Sequence, residues 1–217
     1  MKFDAFFFDL DGTLYNSDNG LIENIDHRLD EWILKTVPMP EDEVLSFRHR
    51  LFSRYGGTLP GLTIEYGSDF FASLRYCHDV PVDRYIFPNP VLRNVLQRLP
   101  GRKYVFTSAY RFYAKRVLDA LGVSECFEGI IDAIDVFPKP KPFPEAFQRA
   151  FQISGEADIR RCVFLDDQPR NVGAGHREGF FSVQVSSSHP RSESADGYIE
   201  RIEDLMMIPE FQTKGSF

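Results

Sequence analysis

The distribution of apolar residues divides the chain into two kinds of segment. Residues 5–9 form a short apolar run that ends in a carboxylate, which predicts a buried strand, and Gly12 permits a tight turn after it. Between residues 16 and 85 the apolar residues recur at helical spacing, and no convincing strand interrupts them. The sequence therefore predicts one strand followed by a helical block, in which YGGTLPGL at residues 55–62 has the composition of a turn.

Strand-like and helical patterns alternate from Phe87 onward. Such alternation is typical of a mostly parallel sheet with right-handed crossovers and helices on both faces. Near the end of the chain, YIERIEDLMM at residues 198–207 has the spacing of a closing helix. The predicted strands cover residues 103–108, 128–133, 162–167 and 180–186, and the predicted helices cover residues 89–99, 111–122, 144–152 and 171–179.

These patterns predict an α/β fold with an inserted domain. Residues 1–15 and 88–217 are expected to form a doubly wound, mostly parallel, Rossmann-like sheet domain. Residues 16–87 are expected to form an α-helical cap, inserted after the first strand. Open α/β sheets bind ligands in the crevice at the carboxyl ends of their strands, so this cap lies where it can act as a lid.

Composition and charge restrict the classes of function. The 217 residues are 43% hydrophobic and 26% charged, as in soluble globular proteins, and the net charge of −7 argues against a nucleic-acid polymer as partner. We find no apolar run of membrane-spanning length and no signal peptide, and three scattered cysteines favour reduced thiols. We therefore expect a cytoplasmic protein that acts on a small molecule without binding membranes. Its oligomeric state, monomer or dimer, stays open.

Chemically active side chains follow the predicted strands at the points where the strands end. Because the carboxyl ends of parallel strands meet at one edge of the sheet, these groups are expected to share a small volume. Each one alone has a simpler explanation, such as a turn, a helix cap or a solvated side chain, but the combination favours a site. The groups are four carboxylates, at least one lysine and a hydroxyl, drawn from Asp9, Asp11, Thr107, Ser108, Lys139, Lys141, Asp166 and Asp167.

Such a cluster of carboxylates requires a compensating cation. Like charges in close proximity raise one another's pKa, and burial adds to that effect. Mg²⁺ prefers oxygen ligands and is often held by a few carboxylates together with substrate phosphates. The sequence therefore predicts a Mg²⁺ site that serves phosphoryl transfer.

Four segments of the chain resemble the motifs of one known superfamily. In order, FFFDLDGTLY, VFTSA, KPFPEAF and VFLDDQPRNV resemble the four motifs of the haloacid dehalogenase superfamily. Within its helical-cap subfamily the chain looks most like the pyrimidine 5′-nucleotidase group. The shared features are the first motif together with YGGTLPGL, PVLRNVLQRL and FTSAYRFYAKRVLDALG.

The resemblance implies a role for each motif residue. Asp9 would be the nucleophile that forms an aspartyl-phosphate, and Asp11 the general acid and then the general base. Thr107 and Lys141 would hold phosphate oxygens. The implied Mg²⁺ ligands are Asp9, the backbone carbonyl of Asp11, and Asp167, with Asp166 helping through a water or as a further ligand.

Several positions leave alternatives open. Lys141 fits the Lys-Pro-x-Pro pattern of the family, but Lys139 is only two residues away. Ser108 stands where relatives often carry asparagine, and a serine can still donate a hydrogen bond to phosphate. Asn171 occupies a position where many relatives place an acidic or polar residue beside the metal. We expect Gly12 and Ser108 to lie beside the bound substrate.

The acid at position 11 selects the reaction. A dehalogenase needs no acid there because halide leaves unprotonated, and a phosphonatase needs a Schiff-base lysine, whereas the helical block contains only Lys35. Asp11 therefore favours a phosphatase or a phosphomutase, and hydrolysis is the preferred prediction. A phosphate-binding regulatory module on the same fold is the non-enzymatic alternative.

The cap is expected to set the choice of substrate. The predicted substrate is a nucleoside 5′-monophosphate, with pyrimidine nucleotides preferred, and the alternatives are a sugar phosphate or phosphoglycolate. An aromatic ring could stack on a base and an arginine could contact its carbonyls, although the same arginines fit a solvated helix face. The candidates are Arg54, Tyr55 and Thr58, followed by Arg48, Arg50 and Tyr66.

Overall fold

A six-stranded parallel sheet forms the centre of the computed structural model, which describes residues 3–212. The strands are β1 (Ala5–Phe8), β2 (Arg102–Phe106), β3 (Gly129–Ile131), β4 (Cys162–Asp166), β5 (Phe181–Val185) and β6 (Gly197–Ile199). Their spatial order is β3-β2-β1-β4-β5-β6, with every neighbouring pair parallel. The chain builds outward from β1 in one direction, then returns to add β4 on the other side. Ligands bind at such a switch point, so the ends of β1 and β4 frame the expected site.

Helices form the cap and connect the strands of the sheet. The cap contains α1 (Leu21–Thr36), α2 (Val44–Tyr55), α3 (Thr58–Tyr66) and α4 (Phe70–Cys77), and residues 16–85 contain no strand, as predicted. The sheet domain contains α5 (Pro90–Arg98), α6 (Arg111–Leu121), α7 (Pro144–Ser154) and α8 (Pro169–Glu178). Among residues 3–212, no helix combines the length and the apolar character that crossing a bilayer requires.

The side chains of β1 alternate between two hydrophobic cores. Phe6 and Phe8 are buried in the core that α5 and α6 cover, whereas Ala5 and Phe7 are buried in the core that α7 and α8 cover. Successive side chains of a strand point to opposite faces, so a strand covered on both faces is apolar at every position. The unbroken run AFFF is therefore the signature of a central strand.

The cap has a hydrophobic core of its own. Ile33, Leu51, Leu62 and Leu74 come from its four helices and are almost completely buried together. Ala133, which follows β3, belongs to the same cluster and joins the cap to the sheet domain. The cap is thus packed both internally and against the edge of the sheet where the strands end.

Prolines and a glycine define the helix ends that the sequence indicated. Pro90 and Pro144 open α5 and α7, where a missing N–H costs little because that group has no partner inside the helix. Gly122 follows α6 with a φ of 71°, a left-handed conformation that terminates the helix. The helices predicted at residues 89–99, 111–122 and 144–152 are therefore confirmed, with ends close to the predicted ones.

The closing helix predicted at residues 198–207 is wrong. The segment begins instead in β6, which pairs with β5 in register Val185↔Ile199, and continues as a 3₁₀ helix over Ile202–Met207. Ile199, Ile202 and Leu205 are buried against the sheet. The three-residue spacing of these side chains fits a 3₁₀ turn as well as an α-helix, and edge pairing with β5 decides between them.

The turn predicted at residues 55–62 is only partly correct. Gly56 and Gly57 break the chain after α2, but α3 already begins at Thr58. Pro60 lies in the first turn of α3, where its missing N–H again has no intrahelical partner to lose. The Gly and Pro residues therefore mark a helix boundary rather than an extended turn.

Candidate active site

Three aspartates form a buried cluster at the ends of β1 and β4. Asp9 extends β1 by one residue, and its backbone N–H donates to the carbonyl of Leu165 at 2.8 Å. Asp166 ends β4 and Asp167 follows it. One carboxylate oxygen from each of Asp9, Asp166 and Asp167 lies within 4.8 Å of the others. The parallel pairing of β1 with β4 thus brings together two motifs that are more than 150 residues apart in the sequence.

Lys141 supplies a buried positive charge to this cluster. Its Nζ donates to Asp9 Oδ1 at 2.7 Å, to Asp166 Oδ2 at 2.7 Å and to the carbonyl of Phe106 at 2.9 Å. Burial lowers the pKa of Lys141, but the carboxylates of Asp166 and Asp9 outweigh burial and raise that pKa above its ordinary value. Lys139 is exposed and its Nζ lies over the ring of Phe143, so Lys141 is the lysine that the fold directs to the cluster.

The cluster carries more negative charge than Lys141 can balance. Three carboxylates face one ammonium group. Burial, together with Asp166 and Asp167, raises the pKa of Asp9 well above its usual range. Burial and the neighbouring Asp166 also raise the pKa of Asp167 to about 7. A bound cation would favour the ionised form of these carboxylates at neutral pH.

The donor set fits Mg²⁺. The available ligand atoms are carboxylate oxygens, which suit a hard divalent cation. Asn171 donates through Nδ2 to both oxygens of Asp166, at 3.0 and 3.2 Å, while its buried Oδ1 has no hydrogen-bond partner in the described part of the chain. This unsatisfied oxygen beside three carboxylates is one that a hydrated metal ion could satisfy.

The carboxylate of Asp11 lies in different surroundings. Its Oδ1 accepts hydrogen bonds from Tyr15 Oη at 2.5 Å and from Tyr113 Oη at 2.8 Å, and the two hydroxyls are 3.0 Å apart. Burial raises the pKa of Asp11, and the two phenol hydrogen bonds oppose that effect. The half-buried ring of His78 packs on Tyr113 with ring centroids 5.1 Å apart. The side chain of Asp11 is therefore separate from the aspartate cluster.

Gly12 makes room for Asp167. Its φ is 83°, and a Cβ atom at this position would lie 2.9 Å from Asp167 Oδ2. Thr13 follows and donates from Oγ1 to Asp9 Oδ2 at 3.3 Å. The tight turn after β1 thus positions a hydrogen-bond donor to the carboxylate of Asp9 and leaves the space that Asp167 occupies.

Thr107 and Ser108 follow β2 on the same edge of the sheet. Thr107 is buried, and its Oγ1 accepts a hydrogen bond from the backbone N–H of Ala109 at 3.0 Å. Ser108 is exposed toward the cavity described next. Both hydroxyls stand at the rim of the site, where the sequence predicted phosphate contacts.

A cavity of about 380 Å³ lies between the sheet domain and the cap. Its floor includes Asp9, Asp11 and Asp167. The cap contributes apolar side chains and a few polar groups, as small-molecule sites commonly do. The carboxylates that carry the predicted chemistry thus open onto a cavity of ligand size.

Comparison with known proteins places this arrangement in a family. The sequence profile of the haloacid dehalogenase-like hydrolases matches residues 3–179, which contain all four motif segments. The chain belongs to the haloacid dehalogenase-like hydrolase family.

The names of several relatives of this hydrolase refer to phosphate chemistry. It is 26% identical over 194 residues to phosphate metabolism protein 8 of Saccharomyces cerevisiae, a match that covers 79% of this chain and only 60% of the yeast protein. It is 27% identical over 207 residues to pyrophosphatase PpaX of Bacillus pumilus, covering 93% of this chain and 94% of that protein. A HAD phosphatase from Thermococcus onnurineus shares the fold, with a TM-score of 0.64 and 19% identity over 96% of this chain and 99% of that one.

The predicted cap residues of this hydrolase divide into two groups. Thr58 and Arg48 line the cavity, and Arg48 forms ion pairs with Asp26 and Asp30 of α1. The other four predicted residues do not line the cavity and form a separate network. In this network Glu65 accepts hydrogen bonds from Arg50, Arg54 and Tyr55, and the hydroxyl of Tyr66 accepts one from Arg50. Arg50 and Arg54 are rotated away from Arg48 around α2, whereas the hydroxyl of Tyr55, at the end of that helix, donates to Glu65 of α3.

Sequence reasoning missed three groups around the cavity. Tyr15 and Tyr113 bond Asp11, and the guanidinium of Arg170 stacks on Phe52 in the cavity wall. Tyr15 and Arg170 stand within recognised motif segments, but no periodicity or spacing shows where their side chains point. Tyr113 has the inward spacing of an ordinary core residue on α6, so only the fold shows its contact with Asp11.

Proposed function

We propose that this haloacid dehalogenase-like hydrolase is a Mg²⁺-dependent phosphomonoesterase that acts through an aspartyl-phosphate on Asp9. One observation carries the proposal: the carboxylates of Asp9 and Asp11 face the same cavity but have different hydrogen-bond partners. Asp9 stands among charged groups, whereas Asp11 is held by two phenols. Pairs of acids separated in this way are typical of a nucleophile and a general acid.

The proposed reaction has two displacements. A carboxylate oxygen of Asp9 attacks phosphorus, the bond from phosphorus to the leaving oxygen breaks, and Asp11 gives that oxygen its proton. Water then attacks the same phosphorus, Asp11 takes the proton of the water, and the bond to Asp9 breaks to release phosphate. The raised pKa of Asp11, caused by burial, favours the protonated form that the first displacement needs.

Three other groups support the proposed chemistry. Lys141, held beside Asp9, counters negative charge on the phosphoryl oxygens, and the Thr107 hydroxyl donates to one of them. Asp9, Asp166 and Asp167 would hold Mg²⁺ together with the Asp11 carbonyl. The ion, when bound, supplies positive charge next to the transferred phosphoryl group.

The identity of the leaving group stays a prediction. The resemblance of its motif segments to the pyrimidine 5′-nucleotidase group supports a pyrimidine nucleoside 5′-monophosphate. The cavity-lining residues Thr58 and Arg48 are the predicted cap contacts that remain in position for this substrate. Sugar phosphates and phosphoglycolate are the alternatives, and a cytoplasmic location also remains a prediction.

Phosphate release across a panel of phosphomonoesters tests the proposal. The panel contains CMP, UMP, AMP, GMP, ribose 5-phosphate, phosphoglycolate and p-nitrophenyl phosphate, each with Mg²⁺ or EDTA. We expect metal-dependent turnover that Asp9→Asn lowers by at least roughly 10³-fold, while Asp18→Asn, at an exposed site, leaves it unchanged. Turnover that survives EDTA or Asp9→Asn contradicts the proposal. A folded protein that binds Mg²⁺ and hydrolyses nothing favours a phosphate-binding module or a mutase.

A further inference from the structure

Arg170 joins the sheet domain to the cap inside the candidate cavity. It lies in the first turn of α8, three residues after Asp167, and lines the same cavity as Asp9. Its guanidinium carbon is 3.6 Å from the centre of the Phe52 ring on α2, and its Nη2 is 3.5 Å from the carbonyl oxygen of Gly56. Stacking on an aromatic face fixes the plane of a guanidinium group, so this side chain is pre-oriented.

The charge of Arg170 is uncompensated, unlike that of the other nearby cations. Lys141 contacts two carboxylates, and Arg48 forms ion pairs with Asp26 and Asp30. Arg170 forms no ion pair with any residue in the range 3–212, and its buried Nε has no hydrogen-bond partner there. Burial lowers the pKa of Arg170, and the negative charges of Asp166 and Asp167 only partly oppose this effect. A guanidinium nevertheless remains protonated in proteins.

A cation of this kind is a ready-made partner for an anion. Apart from the long hydrogen bond of Nη2 to Gly56, no acceptor for the guanidinium of Arg170 is found in residues 3–212. A carboxylate or a phosphate matches the forked geometry of such a partly desolvated group and would satisfy its remaining N–H donors. The reacting phosphoryl group already has Lys141, Thr107 and the metal site as partners. Arg170 approaches the cavity instead from the boundary between sheet domain and cap.

We propose that Arg170 binds a second anionic group of the substrate, a carboxylate or a second phosphate, distinct from the phosphoryl group that is transferred. This inference rests on the proposed phosphomonoesterase function and names its substrate class. It favours phosphoglycolate, one of the alternatives named above, over the nucleoside 5′-monophosphate that the motif resemblance supports, because the phosphate is the only anionic group of such a nucleotide. A carboxylate and a phosphate share the required chemistry, and matched substrates separate them.

Matched substrate pairs measure the contribution of the second anion. The first pair is 2-phosphoglycolate and 2-hydroxyethyl phosphate, and the second is propane-1,3-diol bisphosphate and 3-hydroxypropyl phosphate. In each pair only the distal anion differs. We expect the wild-type protein to prefer the anionic member of at least one pair in kcat/KM, and the preferred pair identifies the carboxylate or the phosphate.

Substitution of Arg170 then tests whether this residue causes the preference for the anionic substrate. Arg170→Gln is expected to lower the ratio of kcat/KM values within the preferred pair by roughly 10- to 100-fold, the range expected for a charge-assisted hydrogen bond. Arg170→Lys, which keeps the charge and loses the fork, gives an intermediate ratio. Arg177→Gln, at an exposed position of the same helix, keeps the wild-type ratio.

A binding measurement tests the role of Arg170 without turnover. Titration calorimetry of the Asp9→Asn protein with Mg²⁺ compares 2-phosphoglycolate with 2-hydroxyethyl phosphate, before and after adding Arg170→Gln. We expect tighter binding of the anionic compound, lost with Arg170. An equal effect of Arg170→Gln on both members overturns the inference, because Arg170 then holds the reacting phosphoryl group or tethers the cap. A selective loss of CMP and UMP turnover overturns it in favour of a nucleobase contact.

The failure of this inference and the failure of the proposed function are distinguishable. Metal-dependent hydrolysis of p-nitrophenyl phosphate that requires Asp9 upholds the phosphomonoesterase function whatever the role of Arg170. Absence of that activity removes the function, and the inference that rests on it falls as well.

Discussion

Asp9 and Asp11 show how two identical side chains acquire different chemistry from their neighbours. Lys141 donates a hydrogen bond to one carboxylate oxygen of Asp9 and Thr13 donates one to the other. Asp9 also belongs to the buried aspartate cluster, whose negative charge favours binding of a cation. Asp11 accepts two phenol hydrogen bonds on a single oxygen, Oδ1. Because those bonds fix one oxygen, the other remains available for the proton of the leaving group.

The first prediction concerns the tyrosines that position Asp11. Tyr15→Phe or Tyr113→Phe removes one donor and loosens the carboxylate, so proton transfer to the leaving group becomes less efficient. We expect kcat to fall about 10-fold for an alkyl phosphate, whose leaving alkoxide needs the proton. For p-nitrophenyl phosphate, whose leaving group is stable without a proton, the decrease should be much smaller. Steady-state kinetics on the two substrates measure this difference.

A buried tyrosine elsewhere provides the control. Tyr104 donates from its hydroxyl to the carbonyl of Ser154 at 3.3 Å, on the sheet face away from Asp11. Tyr104→Phe should change the rates for both substrates by the same small factor. If Tyr15→Phe and Tyr113→Phe also slow both substrates equally, the two tyrosines serve stability and not proton transfer.

The second prediction separates backbone strain from a clash in the metal site. Gly12 and Gly155 both have positive φ, 83° and 67°, but only at Gly12 would a Cβ meet a neighbour, Asp167 Oδ2 at 2.9 Å. Alanine at either position is expected to cost about 1–2 kcal/mol of unfolding free energy. Gly12→Ala alone should also weaken Mg²⁺ binding by at least roughly 10-fold, because it displaces Asp167.

Calorimetric titration with Mg²⁺ and urea unfolding of both variants provide the comparison. Wild-type Mg²⁺ affinity in both Gly12→Ala and Gly155→Ala would contradict the role of Asp167 as a ligand that the Gly12 turn accommodates. A loss of affinity in both variants would instead trace the effect to general destabilisation.

The residues of the site differ in how far the sequence could predict their place. Asp9, Asp166 and Asp167 were placed together because they end apolar strands that a parallel sheet must bring to one edge. Tyr15 and Tyr113 contact Asp11 through side-chain directions that depend on the packing of α6 on the sheet. Arg54 and Tyr55 are predicted to face the substrate, but both bond Glu65 of α3, a contact between two helices that no pattern along the sequence shows.

At the scale of elements, one ion pair fastens α6 to the end of β3. Asp132 is completely buried after β3 and accepts from Arg111 Nε and from the Arg111 backbone N–H, both at 3.0 Å. Arg111 Nη2 also bonds Asp135 at 2.7 Å. The bond from the backbone N–H satisfies a donor at the start of α6 that has no partner within the helix.

The third prediction uses the pH dependence of this contact. Burial raises the pKa of Asp132, but the hydrogen bonds from Arg111 outweigh burial and hold that pKa below its ordinary value of 3.8. An acid with a depressed folded pKa contributes stability above its unfolded pKa and loses it as the pH falls through the folded pKa. Asp132→Asn should therefore lower the unfolding free energy by about 1–3 kcal/mol at pH 7, and by less below pH 3.8.

Urea unfolding at several pH values measures this difference between wild type and variant. Asp158→Asn is the matched comparison, because Asp158 makes the same two kinds of contact with Arg160 at a site open to solvent. A smaller loss of unfolding free energy in Asp158→Asn is expected, since solvent screens that ion pair. A difference between wild type and Asp132→Asn that stays constant down to pH 2 would mean that the ionised form of Asp132 does not carry the stabilisation.

Elements were predictable where pattern and caps agreed. The strands β1 to β5 and the helices α5 to α8 follow from apolar runs bounded by proline and glycine. The structure of residues 198–207 was not predictable in this way, because apolar side chains spaced three residues apart are compatible with both a 3₁₀ turn and an α-helix. The pairing of Gly197–Ile199 with β5 is a long-range contact that its own short sequence does not encode.

At the scale of the whole molecule, folding concentrates negative charge at the candidate metal site. In the metal-free protein the raised pKa of Asp167, about 7, lies above the unfolded value of 3.8. The folded chain therefore retains a proton between these values that the unfolded chain has released, and its stability falls as the pH rises through that window. The sheet and the cap must supply the free energy that holds the carboxylates together.

The fourth prediction follows from this charge balance. Mg²⁺ binds the ionised carboxylates and offsets their repulsion, so the increase in Tm that Mg²⁺ produces should be larger at pH 8 than at pH 5. Calorimetric scans with Mg²⁺ or EDTA at both values measure it. In Asp167→Asn the Mg²⁺ effect should be small at both values. An equal Tm increase at pH 5 and pH 8 in the wild type would contradict this account of the cluster.

Trapping the covalent intermediate tests the central claim most directly. The wild-type protein, mixed with Mg²⁺ and p-nitrophenyl [³²P]phosphate in a single turnover, is quenched in acid, reduced with borohydride and mapped by mass spectrometry. The account predicts a transient acid-stable label and reduction of Asp9 to homoserine, with no label in Asp9→Asn. Complete turnover without a labelled protein, or a label on another residue, would contradict the assignment of Asp9 as the nucleophile.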